Sequence, residues 1–261
     1  MSLEVNAGSF TITSAGGTGN QTYAHGLGST PKVARFWTTY PGDSARGTND
    51  FSVSYGLAIS STERRAVWCG SQNALDPSQA DSRSRDDRCL MIYNGSTPTL
   101  ICDADFVSFD GTNITLNILK APTSDTVVFF LVLGGTDLTN YALVTFTQPA
   151  ATGDFDVTTV GFQGDFLELF STNATVLNSN TAHASFNIGF TNGTDAALYS
   201  ITSEDGSAAA DTRSYVRSAA AQLELWARNS EASDACIQRD SFVQWLSNGF
   251  RLAEEEKEGE A

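Results

Sequence analysis

Apolar positions along this chain fall in short runs, not in helical stripes. The runs are rich in Val, Ile, Phe, Thr and Tyr and are separated by Gly, Asn, Asp and Ser, the punctuation of strands and turns. Alternation of apolar and polar residues at Ser52–Ala58, Cys89–Tyr93 and Ile114–Ile118 predicts strands with one buried face. Asn94–Pro98 (NGSTP) joins two such runs and predicts a hairpin loop. Thr126–Gly135 (TVVFFLVLGG) is apolar on both alternating sets of positions, the pattern of a strand covered on both faces. Ser218–Arg228 (SAAAQLELWAR) is the one helix-friendly stretch. Its alignment with the strand-like Arg88–Tyr93 predicts a strand over Gln222–Ala227 instead.

The pattern occurs twice. Gly8–Thr11 (GSFT) aligns with Val144–Thr147 (VTFT), an offset of 136. Val33–Thr39 (VARFWTT) aligns with Phe166–Thr172 (FLELFST), an offset of 133, and Gly56 falls over Gly189. Ala80–Ser84 lies over Ala210–Ser214, Asp105–Phe109 over Ser241–Trp245, and Leu116 over Leu252. An ordered series at a nearly constant offset points to a duplicated unit. The expectation is an all-β chain of two tandem β-sandwich, jelly-roll-like domains, residues 1–136 and 137–252, followed by an acidic tail at 253–261. The counterpart of Thr126–Gly135 would begin at about residue 262, so the second unit is expected to lack its last strand. A fragment, a tail that fills the slot badly, or a strand supplied by a neighbouring subunit would each account for that.

Composition narrows the function classes. The 261 residues carry 30 acidic and 15 basic side chains, a net charge of −15, which argues against nucleic acid as a partner. The imbalance lies mostly in the second half, which has 18 acidic and 6 basic residues against 12 and 9 in residues 1–136. The run Thr126–Leu133 is far too short to span a bilayer as a helix, and MSLEVNAGSF has neither the basic nor the apolar region of a secretory leader. No membrane partner is expected. The four cysteines form no CxxC or Cys/His ligand set, so neither zinc nor any other cofactor is expected. Cys69, Cys89 and Cys236 align with apolar positions of the sister unit and read as buried free thiols. Cys89 and Cys102 flank the predicted hairpin and could lie close across its strands, but a disulfide there would need an oxidising setting, to which nothing in the sequence points.

Chemistry-bearing residues are sparse. Asp103, Asp105, Asp110 and Asn113 offer oxygen ligands, but their spacing is not that of a calcium loop, and a turn with solvated carboxylates is the simpler account. His25 and His183 sit in turn-like segments and read as surface histidines without a nucleophile beside them. Glu204 and Asp205 occupy a turn, so a glycoside hydrolase built from dispersed carboxylates is only a third alternative. Trp37 and Trp245 align with Phe170 and Phe109 and read as core. Tyr40, Trp68 and Trp226 are less clearly buried and are the candidates for stacking on a glycan. Arg83, Arg85 and Arg88, interleaved with Asp81, Asp86 and Asp87, have matching arginines at Arg213 and Arg217, a candidate interface whose alternative is structural salt bridging. The N-x-[ST] sequons read as turn chemistry.

Several segments together resemble two-repeat β-rich proteins encoded in tailed-phage and prophage genomes. These are Gly8–Thr11 with Thr18–Gln21 (TGNQ), Gly26–Val33 (GLGSTPKV), Arg88–Leu90, Asp105–Asp110 with Thr115–Asn117, and Leu133–Leu138 (LGGTDL). The resemblance covers most of the first unit and, more weakly, the second. It implies a virion-associated structural or adhesive protein and carries over no catalytic residues. The expectation is therefore a non-enzymatic protein on the outer surface of a virion, as a head decoration, collar or tail-associated component. Its partners would be other virion proteins and copies of itself. The alternative is a carbohydrate-binding adhesion module that meets a host surface glycan.

Overall fold

The computed structural model describes residues 2–39, 51–72, 77–94, 99–174, 176–206, 212–220, 226–227 and 238–257, with the backbone alone at 212–213, 215, 217–220, 226–227, 238 and 256–257. The described residues form nineteen strands and no α-helix. In chain order these begin β1 (Leu3–Ile12), β2 (Gly19–Ala24), β3 (Val33–Thr38), β4 (Phe51–Ala58) and β5 (Arg64–Ser71). Next come β6 (Ala80–Arg85), β7 (Leu90–Tyr93), β8 (Leu100–Phe109), β9 (Asn113–Lys120) and β10 (Thr126–Gly135). The second half contains β11 (Gly153–Val157), β12 (Leu167–Ser171), β13 (Asn180–Ala182), β14 (Ala184–Thr191) and β15 (Asp195–Ser203). It closes with β16 (Thr212–Ala220), β17 (Trp226–Ala227), β18 (Gln238–Leu246) and β19 (Gly249–Lys257).

The chain divides into two compact units. The first comprises Met1–Asn73, Arg83–Leu143 and Val176–Asn180, and the second Ala74–Ser82, Val144–Thr175 and Thr181–Ala261. In the first unit one sheet runs β1-β10-β3-β4-β5-β6, and the other runs β2-β9-β8-β7. Both contribute to one core: Ile12, Ala34, Phe36, Val128, Phe130 and Val132 from the first sheet meet Leu90, Ile92, Cys102, Phe106, Ile114, Leu116 and Ile118 from the second. This is a β-sandwich. Strands β3–β6 form a meander in one sheet and β7–β9 a meander in the other. Jelly-roll-like alternation between sheets is confined to β1, β2 and β10. Gly56 marks the tightest approach, because a Cβ there would lie 1.8 Å from the Cys89 carbonyl oxygen.

The second unit repeats this order. Its sheets run β11-β19-β18-β17 and β12-β14-β15-β16, the counterparts of β2-β9-β8-β7 and β3-β4-β5-β6. Registers agree residue by residue. Ala34 pairs with Ala58 and Phe36 with Gly56, and at the offset of 133 seen in sequence Leu167 pairs with Thr191 and Leu169 with Gly189. Even the irregularities recur: β8 and β9 slip register between Asp103 and Ala104 and between Phe106 and Ser108. The pair β18 and β19 slips between Arg239 and Asp240 and between Phe242 and Gln244. Bulges at matching positions bend both sheets alike. Val157, Leu169, Ala196, Phe242, Phe250 and Leu252 form the second core, again drawn from both sheets.

One difference from the sequence expectation stands out. Ala253–Lys257, read as the start of an acidic tail, continues β19 and pairs with β18 across the slip at Glu255, with Leu252 and Glu254 both buried. Among the described residues no strand of the second unit holds the place of β10.

Candidate functional site

The first unit spends its arginines internally. Arg83 on β6 donates from Nε to Asn180 Oδ1 at 3.1 Å and from Nη1 to the Tyr93 hydroxyl at 3.1 Å. Its guanidinium also lies 4.4 Å from the centroid of the Tyr93 ring. Arg85 forms a bidentate pair with Asp87, both bonds 2.8 Å, which holds the Asp87 carboxyl below the ordinary carboxylate range. Arg88 binds the buried Asp103 at 2.7 Å and reaches Asp87 at 3.0 Å. Structural pairing therefore engages all three arginines. Arg213 and Arg217 lie on β16 and Trp226 on β17, with side chains outside the described residues, as is Tyr40 altogether.

The oxygen-rich segment is engaged in the same way. Asp105 accepts two bonds from Arg64, at 2.6 and 3.1 Å. Asp110 accepts the backbone N–H groups of Thr112 and Asn113, both at 2.7 Å, and these donors lower its pKa. These carboxylates have separate tasks, and no group of three potential His, Cys, Asp or Glu ligands occurs among the described residues. In the second unit Glu204 and Asp205 shape a turn: Ser78 Oγ donates to the Glu204 carbonyl at 2.8 Å and Ala80 N–H to Asp205 Oδ1 at 3.0 Å.

Three ring placements correct the sequence reading. Trp68 is 1% exposed; its indole N–H donates to Ser52 Oγ at 2.9 Å and its ring packs on Tyr93, so it has no face for a sugar. His25 is fully buried rather than on the surface. Its Nδ1 accepts the Leu27 N–H at 3.0 Å, and its Nε2 lies 3.1 Å from the Asp110 carbonyl oxygen. Trp37, expected in the core, lies 38% exposed on the outer face of β3. The reason is parity: Phe36 takes the inward position, so its neighbour must face out. His183 is partly buried and accepts the Asp205 N–H at 3.0 Å.

That outward parity assembles the candidate surface. Phe129 on β10 is 48% exposed and pairs across the sheet with Trp37, the rings stacked at 6.2 Å and 15°. One residue pair along, Leu131 sits between Ala7 and Arg35, and Leu133 lies between Val5 and Val33. Leu3 and Val5 on β1 are exposed as well. Strand β10, read as covered on both faces, is thus covered on one. Its inward residues Val128, Phe130 and Val132 fill the core, while Val127, Phe129, Leu131 and Leu133 form an apolar outer strip. Phe129 is exposed in this strip while Val127, Leu131 and Leu133 are half-buried, and contiguous apolar surface of this kind is a candidate contact surface.

Sequence reasoning missed one buried feature. Asp240 and Glu254 are both buried and face each other across β18 and β19, where the first unit has Ala104 and Ile118. The Gln148 side-chain amide donates to Asp240. Beside them Glu255 accepts from Ser241 Oγ at 2.6 Å and pairs with Arg239 at 3.1 Å. The repeat alignment carried the signal, because an apolar pair turns acidic at matched positions of matched strands.

No protein-family model, curated protein or solved structure matches the chain. No helix among the described residues is long and apolar enough to cross a membrane.

Proposed function

We propose that this chain is a non-enzymatic structural protein of the outer surface of a tailed-phage virion, a head decoration, collar or tail-associated component. It acts through many protein–protein contacts whose individual weakness is offset by their number. The observation behind this reading is the apolar outer face of β1, β10 and β3, where Trp37 and Phe129 stand beside Leu3, Val5, Leu131 and Leu133. Seating a single such side chain against a partner contributes roughly 1.5–3 kcal/mol, so the strip suits contacts that gain strength by repetition. Matched strand order, register and bulges in the two units support an internally duplicated chain, in which the β1-β10-β3 face belongs to the first unit among the described residues.

An antibody to the purified chain should decorate intact tailed particles that carry this gene at many sites, and the chain should survive gradient purification of those particles. Its absence from banded particles overturns the proposal. A second reading, a carbohydrate-binding adhesion module, draws on the exposure of Trp37. On that reading Trp37→Ala abolishes retention on a glycan array, whereas on the structural reading it weakens attachment to particles and leaves an array signal that was never present.

A further inference from the structure

Among its described residues the second unit has no counterpart of β10, and the first unit shows how that strand is seated. There β10 lies between β1 and β3, pairing Phe129–Leu133 with Val33–Trp37. It sends Val128, Phe130 and Val132 into the core beside Phe10 and Phe36. Each flank of that slot has a counterpart in the second unit. Strand β12 replaces β3 with the same register to its inner neighbour and ends its sheet among the described strands. Residues 144–147 replace the middle of β1. Val144 and Phe146 pack against the second core although the segment belongs to no sheet.

Exposure follows the same comparison. On the outer face Val33, paired with Leu133 of β10, is 6% exposed, whereas Phe166 at the matching position beside β12 is 54% exposed. Ala34 is fully buried and its counterpart Leu167 is only half-buried. Among the described residues the edge of β12 is thus less covered than the edge of β3 that β10 closes.

We infer that the gap between β12 and residues 144–147 accepts an extended apolar peptide segment, added antiparallel to β12 as β10 is to β3. The occupant's chemistry can be read from the flanks. Main-chain bonds to β12 supply affinity in any sequence, and alternate inward side chains supply specificity. These must be apolar and β-branched or aromatic, as Val128, Phe130 and Val132 are. One position is further restricted. In the first unit Phe130 packs over Gly8, whose Cβ, if it had one, would lie 2.8 Å from the ring. The counterpart of Gly8 is Val144, so the occupant carries a residue smaller than Phe there.

This inference rests on the fold and stands whether or not the chain belongs to a virion. The probe is a lysine-flanked synthetic peptide, TVVFVLVLGG, which is β10 with Val in place of the crowded Phe. Hydrogen exchange of the full chain is followed with and without it. Exchange at residues 144–147 and 166–171 should slow about ten-fold or more, with β3 and β10 unchanged. A peptide with Ser at the three inward positions should give no protection. Phe166→Lys, a change at an exposed position that leaves the fold intact by circular dichroism, should weaken binding of the probe at least about ten-fold. Unchanged exchange, equal protection by the Ser peptide, or full binding to Phe166→Lys overturns the assignment.

Discussion

At the scale of single residues, burial governs the chemistry of this protein. Cys69, Cys89 and Cys102 are buried and unbonded, so the cysteines flanking the β7–β8 hairpin pack as small apolar residues and form no bridge. Burial raises all three thiols, Cys102 to about 12. The sign of the linkage follows directly: a thiol whose folded pKa is raised favours the folded state at neutral pH, where both states are protonated. That contribution is lost once the unfolded chain begins to ionise, from about pH 9 upward toward the folded values. The urea midpoint should therefore hold steady through neutral pH and fall progressively above about pH 9. Below that pH, a thiol reagent should modify these cysteines only at the rate of unfolding. Rapid labelling of all three in the native protein at neutral pH contradicts the buried placement.

At the scale of strands, positions and pairings were legible in the sequence, whereas coverage of their outer faces was not. The alternation at Ile114–Ile118 became β9 with alternate residues buried, and Gly56 over Gly189 became one register seen in two sheets. Period-two patterns report local geometry, which a strand carries with it. Whether an apolar face is covered depends on residues elsewhere, and so Thr126–Gly135 and Trp37 were read as buried when half of each pattern faces outward. Trp68 erred in the opposite direction: its neighbours along the chain gave no hint of Tyr93 and Ser52 closing over it. Asp240 and Glu254 were hidden in the same way, since a carboxylate in a polar-looking segment is ordinarily solvated. The sheet's closest approach makes a sharp test of the register. Gly56→Ala should destabilise by about 3 kcal/mol or more, because its methyl group meets the main chain at Cys89 and no rotamer relieves it. A denaturant titration that finds Gly56→Ala neutral rules out the β4–β7 approach described here.

At the scale of the whole molecule, two units with the same strand order are unequally equipped. The first closes its sandwich with β10 across ten register pairs to β1 and five to β3. Its core joins strands from both sheets in one large apolar cluster. Among the described residues the second lacks an equivalent of β10 and places Asp240 and Glu254 where the first has Ala104 and Ile118. It also belongs to the half of the chain that holds 18 of the 30 acidic residues, whose mutual repulsion opposes compaction. Each difference lowers the stability of the second unit, so thermal unfolding should proceed in two steps with the second unit melting first. Salt tests the electrostatic part: raising ionic strength from about 0.01 M to 1 M shortens the screening length from roughly 30 Å to 3 Å. The lower transition should then rise while the upper one moves little, and saturating strand peptide should lift the lower transition alone. A single transition that responds to neither would mean that the two units share one cooperative core. In that case the open edge beside β12 would cost the molecule nothing and would need no partner.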